Sequence, residues 1–92
     1  MEKKRNKLEV IRDILEVIKS KNGRIKPTHI LYKSNLSHHM MEEYLRELME
    51  KELIHEHVLE KGRTYSVTNK GMKYLEQYKL IDEFATSFGL SE

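Results

Sequence analysis

The densest set of side chains able to do chemistry lies at residues 38–43, where His38 and His39 are followed by two methionines and then Glu42 and Glu43. His55 and His57 form a second, looser set. Imidazoles and carboxylates together serve as metal ligands, as acid–base partners, or as hydrogen-bonding groups for a nucleic acid. A metal site needs three or four ligands that converge. Adjacent histidines on a helix point about 100° apart, so His38 and His39 do not easily chelate one ion together. The chain has no cysteine and no H-E-x-x-H, so neither a thiolate centre nor a metalloprotease helix is available. No metal and no other cofactor is expected. Catalysis has no better footing, because no Gly-rich phosphate loop, nucleophile elbow or carboxylate pair in a pocket context is found. At 92 residues the chain builds one core, with little room for a cleft beside it. The expectation is a non-enzyme with no small-molecule substrate.

The elements that must hold these residues follow from hydrophobic spacing. Residues 8–18, LEVIRDILEVI, place Leu8, Ile11, Ile14, Leu15 and Ile18 on one helical stripe, which Val10 and Val17 widen. Asn22-Gly23 ends that helix in the manner of a left-handed cap. Arg24-Ile25-Lys26 is short and extended before Pro27, and Pro27 opens a second, short helix, PTHILYK, with Ile30 and Leu31 apolar. Asn35 then suits a tight turn that needs positive φ, and Ser37 is a good N-cap. A third helix runs from about residue 38 to 52, burying Met41, Tyr44, Leu45 and Leu48. That turns His39, Glu43 and Arg46 outward, with His38 and Glu42 on one flank. The period next changes to two. Ile54 and Val58 share one face of a strand, Tyr65 and Val67 one face of another, and residues 59–63 make a hairpin tip with Gly62 in the bend. Thr68 caps a last helix whose Gly71 implies close packing on a neighbour. Tyr32, Tyr44 and Tyr65 are read as core.

Charge is polarised in segments. Residues 19–33 carry Lys19, Lys21, Arg24, Lys26 and Lys33 and no acid. Residues 42–60 carry seven acids against Arg46 and Lys51, and residues 61–73 carry Lys61, Arg63, Lys70 and Lys73. A basic face is the electrostatic footprint of a polyanion partner. Taken alone, these segments read as ordinary solvated faces in a chain that is 35% charged. No apolar run approaches 18 residues and no small-residue cleavage site follows an apolar stretch, so neither a membrane span nor a secretory signal is expected.

A short helix, a tight turn, a longer helix and a hairpin make a winged helix-turn-helix. Through ILYKSNLS (30–37), YLRELMEKELI (44–54) and YSVTNKGMKYL (65–75), the chain resembles the winged helix-turn-helix regulators, in particular small archaeal-type proteins that dimerise through a long C-terminal helix. The resemblance covers about residues 6–88. It implies a mainly α fold with a small β-hairpin (α+β), a single domain over 1–92, and an extended last helix. It implies a DNA-binding protein in the cytoplasm, associated with the nucleoid, whose partner is double-stranded DNA. The third helix (38–52) enters the major groove, so Ser37, His38, His39, Glu42, Glu43 and Arg46 face DNA. The wing (59–63) lies on the backbone through Lys61 and Arg63, and Thr28 and Lys33 are flanking phosphate contacts. A transcription regulator is the leading reading. An architectural chromatin protein of low sequence specificity, or a protein–protein module that uses the fold without DNA, remains open.

One departure bears on the choice. The third helix carries Glu42, Glu43, Glu47 and Glu50 against Arg46 alone. Carboxylates beside phosphates are unfavourable, although a glutamate accepts from a cytosine amino group and Glu42 lies one turn from Arg46. For His38 and His39, a merely polar helix start and a DNA contact stand side by side. At the other end, Leu80, Ile81, Phe84 and Phe88 continue an apolar pattern past residue 78, where a winged-helix core no longer needs it. Residues 78–90 are therefore expected to extend the last helix into a homodimer interface; the competing arrangement folds them back onto the first helix.

Overall fold

The computed structural model describes residues 5–90; residues 1–4 and 91–92 lie outside the described part of the chain. Helix α1 (Lys7–Ser20) begins on Asn6. The Asn6 side chain accepts from the Glu9 amide at 2.8 Å, and the Glu9 carboxylate accepts from the Asn6 amide at 3.3 Å. This reciprocal pair satisfies two amides that a helix start leaves free. Val10, Ile11, Ile14, Leu15 and Ile18 are buried, whereas Leu8, expected on the stripe, is 57% exposed. The stripe through residues 11, 14, 15 and 18 extends toward the N-terminus equally well through 8 or 10, and the fold uses Val10.

Asn22 and Gly23 take φ of 50° and 78° and stop the chain from continuing as helix. Fully buried Ile25 then pairs with Tyr65 in an isolated bridge, which ties this loop to the hairpin. Helix α2 (Pro27–Ser34) has its proline in the first turn and ends at Asn35, which is left-handed at φ 54° and ψ 51°. Helix α3 (His38–Glu50) starts on Ser37, whose hydroxyl accepts from the Met40 amide at 3.2 Å. Met41, Leu45 and Leu48 are buried and Tyr44 is half-buried. The helix ends two residues sooner than its pattern suggests, because Glu52 turns left-handed at φ 59° to aim the chain into the hairpin.

Strands β1 (Ile54–Leu59) and β2 (Gly62–Val67) pair antiparallel from Ile54↔Val67 to Leu59↔Gly62, leaving Glu60 and Lys61 as a two-residue turn. Ile54 and Tyr65 are buried, but Val58, expected beside Ile54, is 78% exposed. The side-chain alternation is kept; by Val58 the hairpin has outrun the core. Helix α4 (Asn69–Ser87) starts on Thr68, whose hydroxyl accepts from the Gly71 amide at 3.0 Å and donates to the Glu52 carbonyl at 2.6 Å. Gly71 lies hard against the Leu53 carbonyl and Val67, the close packing its position implies.

Ile14, Leu15, Ile18, Ile25 and Ile30 are fully buried and form the centre of the core. Around them pack α2, α3, the base of the hairpin and the first half of α4, whose last fully buried side chain is Leu75. No helix among the described residues is long and apolar enough to cross a membrane.

Candidate nucleic-acid interface

The direction in which α3 points is set by the turn before it. Asn35 takes the left-handed step, Leu36 is buried as the turn's apolar anchor, and Ser37 caps α3. A further clamp holds the turn. Arg5 donates to the Ser34 carbonyl at 2.6 Å and more weakly to the Asn35 carbonyl at 3.4 Å, while its other guanidinium nitrogen is 2.6 Å from Asp13 on α1. A cation at the end of α2 also complements that helix's dipole. Sequence reasoning misses Arg5 as a positioning residue. Its partners at the turn are 29 and 30 residues away, and no local pattern encodes such a bond.

On α3, Met41, Leu45 and Leu48 face inward, and His39, Glu43 and Arg46 form an exposed stripe on the other side. Ser37, His38 and Glu42 are exposed as well, although the Ser37 hydroxyl is already committed to its cap. The carboxylates are accompanied. His39 Nε2 is 2.6 Å from Glu43 Oε1, His38 Nε2 is 3.8 Å from Glu42 Oε1, and Lys7 Nζ is 2.8 Å from Glu47 Oε2. The Glu47 carboxylate raises the Lys7 ammonium above its usual range. Glu42 is thus associated with His38, not with Arg46 as its spacing allows; Arg46 has no ion pair among the described residues.

Thr28 and Lys33 are exposed on α2. So is Tyr32, at 79%, which corrects its assignment to the core: on so short a helix Ile30 alone fills the inward position and Tyr32 lies away from it. On the hairpin, Lys61 stands in the exposed turn. Arg63 is exposed but leans back across the strands to within 3.4 Å of Glu56 Oε2. The buried Tyr65 hydroxyl donates to the same carboxylate at 3.3 Å, and its burial raises its pKa above the ordinary tyrosine value. Lys70, one of the four cations in residues 61–73, donates to the Lys51 carbonyl at 2.7 Å and so serves the end of α3. His57 Nε2 is 2.7 Å from the Ser66 hydroxyl. Among the described residues, no three histidine or acidic side chains come together to hold a metal ion.

The model of the winged helix-turn-helix family matches residues 4–86. The chain belongs to that family. No curated protein matches it. Among solved structures, Sso10a-2, a DNA-binding protein from Sulfolobus solfataricus, superposes with a TM-score of 0.74 at 20% identity, over 92% of this chain and 90% of that one. MepR, a transcription regulator of the Staphylococcus aureus multidrug efflux pump MepA, gives 0.72 at 20% identity over 86% of this chain, which spans 61% of MepR. A MepR variant bound to an oligodeoxyribonucleotide gives 0.72 at 18% identity over the same shares. At these identities the likeness is one of fold.

In winged-helix terms α2 and α3 are the helix-turn-helix, and the β1–β2 hairpin is the wing. The end of α4 lies outside that unit. Tyr74 is half-buried with its hydroxyl donating to the Leu8 carbonyl at 2.8 Å, and the Arg12 guanidinium lies 5.1 Å from the centre of the Tyr78 ring. Beyond this point α4 leaves α1. Leu80, Ile81, Phe84 and Phe88 are all more than half exposed, with the two phenylalanine rings 4.9 Å apart. Residues 80–88 therefore do not fold back onto α1. Tyr74, in register with the free seam by spacing, belongs to the α1 contact instead.

Proposed function

We propose that this winged-helix chain is a dimeric DNA-binding protein, a transcription regulator. The N-terminal half of α3 enters the major groove, the wing lies along the backbone, and α4 joins two copies. The observation that carries this reading is the outer stripe of α3. The capped and clamped turn presents His39, Glu43 and Arg46 together, away from the core and in solvent. Arg46 is free to form two hydrogen bonds with one guanine, the commonest specific contact in the major groove. Three of the four α3 carboxylates have a cation or an imidazole beside them, which lessens their repulsion of phosphate. Ser37, His38 and Glu42 border the stripe. Thr28 and Lys33 on α2 and Lys61 and Arg63 on the wing supply sequence-independent phosphate contacts.

The dimer rests on four apolar side chains, Leu80, Ile81, Phe84 and Phe88, exposed along one stretch of helix. Contiguous exposed apolar surface of this kind marks an interface, and two-fold homodimers are the commonest assembly of soluble chains. A two-fold protein also suits paired half-sites. That Sso10a-2 is a DNA-binding protein and a MepR variant has been solved on an oligodeoxyribonucleotide supports the choice of partner.

Binding to duplex DNA, followed by fluorescence anisotropy at several salt concentrations, tests the reading. A linear fall of log affinity with log salt is expected, because each neutralised phosphate releases counterions. Absence of binding at low salt overturns it. That result favours the protein–protein module, for which the exposed carboxylates Glu42, Glu43 and Glu50 on α3 speak.

A further inference from the structure

His39 is the one imidazole that stands in the outer stripe of α3 between the helix start and Arg46, and it is bound up with a carboxylate. Its Nε2 is 2.6 Å from Glu43 Oε1, and both side chains are well exposed, at 83% and 62%. Two acceptors do not sit that close, so Nε2 carries a hydrogen whatever the ring's charge. The consequence falls on the other nitrogen. In the neutral ring Nδ1 is then a bare acceptor. It accepts from an exocyclic amino group of cytosine or adenine, but has nothing to offer a phosphate or the acceptor edge of guanine. In the protonated ring Nδ1 carries a hydrogen and donates to phosphate or to guanine, while Glu43 balances the new charge. The neutral imidazole, so held, therefore does not make the phosphate or guanine contact that a free imidazole makes in either form.

From this arrangement, and resting on the DNA-binding reading above, we infer that His39 is a proton-switched, specificity-determining residue: DNA binding takes up a proton there and strengthens as pH falls. Histidine is the side chain whose charge changes between pH 5 and 8, so the switch lies in an accessible range. The surrounding charges favour the protonated form on DNA. Glu43 and Glu47 share a shallow groove with Lys7 of α1 and Tyr44, and Lys7 is occupied by Glu47. Arg46 follows Glu43 along the same stripe. On the hairpin side, Glu42 bears on the Tyr65 hydroxyl together with Glu56 and Arg63, and has His38 as its neighbour at 3.8 Å. With neutral histidines, α3 carries four carboxylates against Arg46. Protonating His39 removes one unit of that excess at the face turned to polyanionic DNA.

The sign follows from linkage. A group protonated in the complex and neutral in the free protein makes affinity highest at low pH, and affinity is lost as pH rises through the value the group has in the complex. One proton taken up gives a rise approaching tenfold per pH unit over the region where it is taken up. It also adds about one to the salt slope at the acid end if the new partner is a phosphate.

The experiment measures duplex affinity of the full chain from pH 5.5 to 8 at fixed ionic strength, for the native protein and for His39→Gln, Glu43→Gln and His38→Gln. Circular dichroism melting confirms that each exposed substitution leaves the fold intact. Affinity is expected to rise toward acid in the native protein and in His38→Gln, and to lose that dependence in His39→Gln while binding persists. In Glu43→Gln the rise is expected at lower pH, because the carboxylate that stabilises the imidazolium is gone. A flat profile in the native protein overturns the inference, as does a profile that survives His39→Gln. Absence of binding at every pH and at low salt is a different failure: it removes the DNA-binding reading itself.

Discussion

Gly71→Ala separates a helix-propensity expectation from a packing one, because the two predict opposite signs. At an open helical position the change stabilises by about 1 kcal/mol. At Gly71 a Cβ would sit 2.3 Å from the Leu53 carbonyl oxygen and 2.6 Å from Val67 Cγ1. Favourable contacts lie near ~3.5–4.0 Å, so both are overlaps. Val67 is a side chain and has some room to yield. The Leu53 carbonyl is backbone, and it accepts from the Thr68 amide at 3.1 Å, so moving it opens the joint between α3, the wing and α4. Overpacking costs about 1–3 kcal/mol, and a backbone wall places this case at the upper end. After the propensity gain the net loss is about 2 kcal/mol. For a domain of this size that lowers the melting temperature by roughly 8–16 °C. The assay is thermal unfolding of the native chain, Gly71→Ala, Val67→Ala and the double variant, read as a cycle. Val67→Ala is expected to restore only part of the loss, since it leaves the carbonyl in place. A higher melting temperature for Gly71→Ala refutes the close approach, and full rescue by Val67→Ala refutes the carbonyl as its wall.

Lys61→Ala with Arg63→Ala is expected to weaken DNA binding to a similar degree on every sequence and to lower the salt slope by about one for each phosphate no longer neutralised; an unchanged slope puts the wing off the DNA. Arg46→Ala is expected to cost about 1–3 kcal/mol on a cognate site while the fold changes by no more than about 0.5 kcal/mol, so an unfolding shift with binding intact would reverse the assigned face of α3. Phe84→Glu with Phe88→Glu is expected to turn a dimer into a folded monomer by sedimentation; a double variant that stays dimeric moves the interface elsewhere. Burial raises the Tyr65 hydroxyl above the ordinary tyrosine pKa, so its contribution to stability is whole below that ordinary value and is lost as pH rises through the raised one; alkaline unfolding is therefore expected to be less steep in Tyr65→Phe, and an unchanged alkaline limb would deny that role to Tyr65.

The parts of this fold legible in the sequence are those fixed by neighbours along the chain. Asn35 and Ser37 specify a left-handed step and a cap by their own chemistry, and both do so here. Gly71 announces a close neighbour by its cost alone, and the neighbour is there. The errors arise where distant residues decide. Leu8 and Val10 fit the stripe of α1 equally by periodicity, and only the arrangement of the other elements chooses between them. Alternation places Val58 beside Ile54 without showing that the wing extends past the core. Tyr32 reads as inward because a tyrosine on an apolar helix often is; α2 is too short to bury it. In the site, outward direction along α3 is readable from the period, but partners are not. Arg46 and His38 both lie four residues from Glu42, and the imidazole is the one beside it. Arg5 holds the turn from 29 residues away, a relation no spacing rule contains.

The acidic α3 and the unpartnered end of α4 bear on one energetic problem. Non-specific affinity for DNA grows with the number of phosphates neutralised, and the cations of this chain are partly engaged already. Lys7 is held by Glu47, Lys70 by the Lys51 carbonyl, Arg5 by the turn, and Arg63 in part by Glu56. What is left near the reading head, chiefly Lys61, Lys33 and Arg46, neutralises few phosphates, while Glu50 and the neighbouring carboxylates oppose the rest. A single head of this kind binds weakly anywhere on DNA. It discriminates well, however, because a carboxylate gains nothing from a phosphate and something from a base amino group. Joining two heads through α4 restores affinity without adding phosphate contacts to either, since the second head binds at the effective concentration set by the first. Dimerisation and selectivity then fail together. The Phe84→Glu, Phe88→Glu monomer is expected to lose far more affinity on a two-site duplex than on one half-site. Equal losses on the two would mean that each head binds alone, and that the carboxylates of α3 serve some other partner.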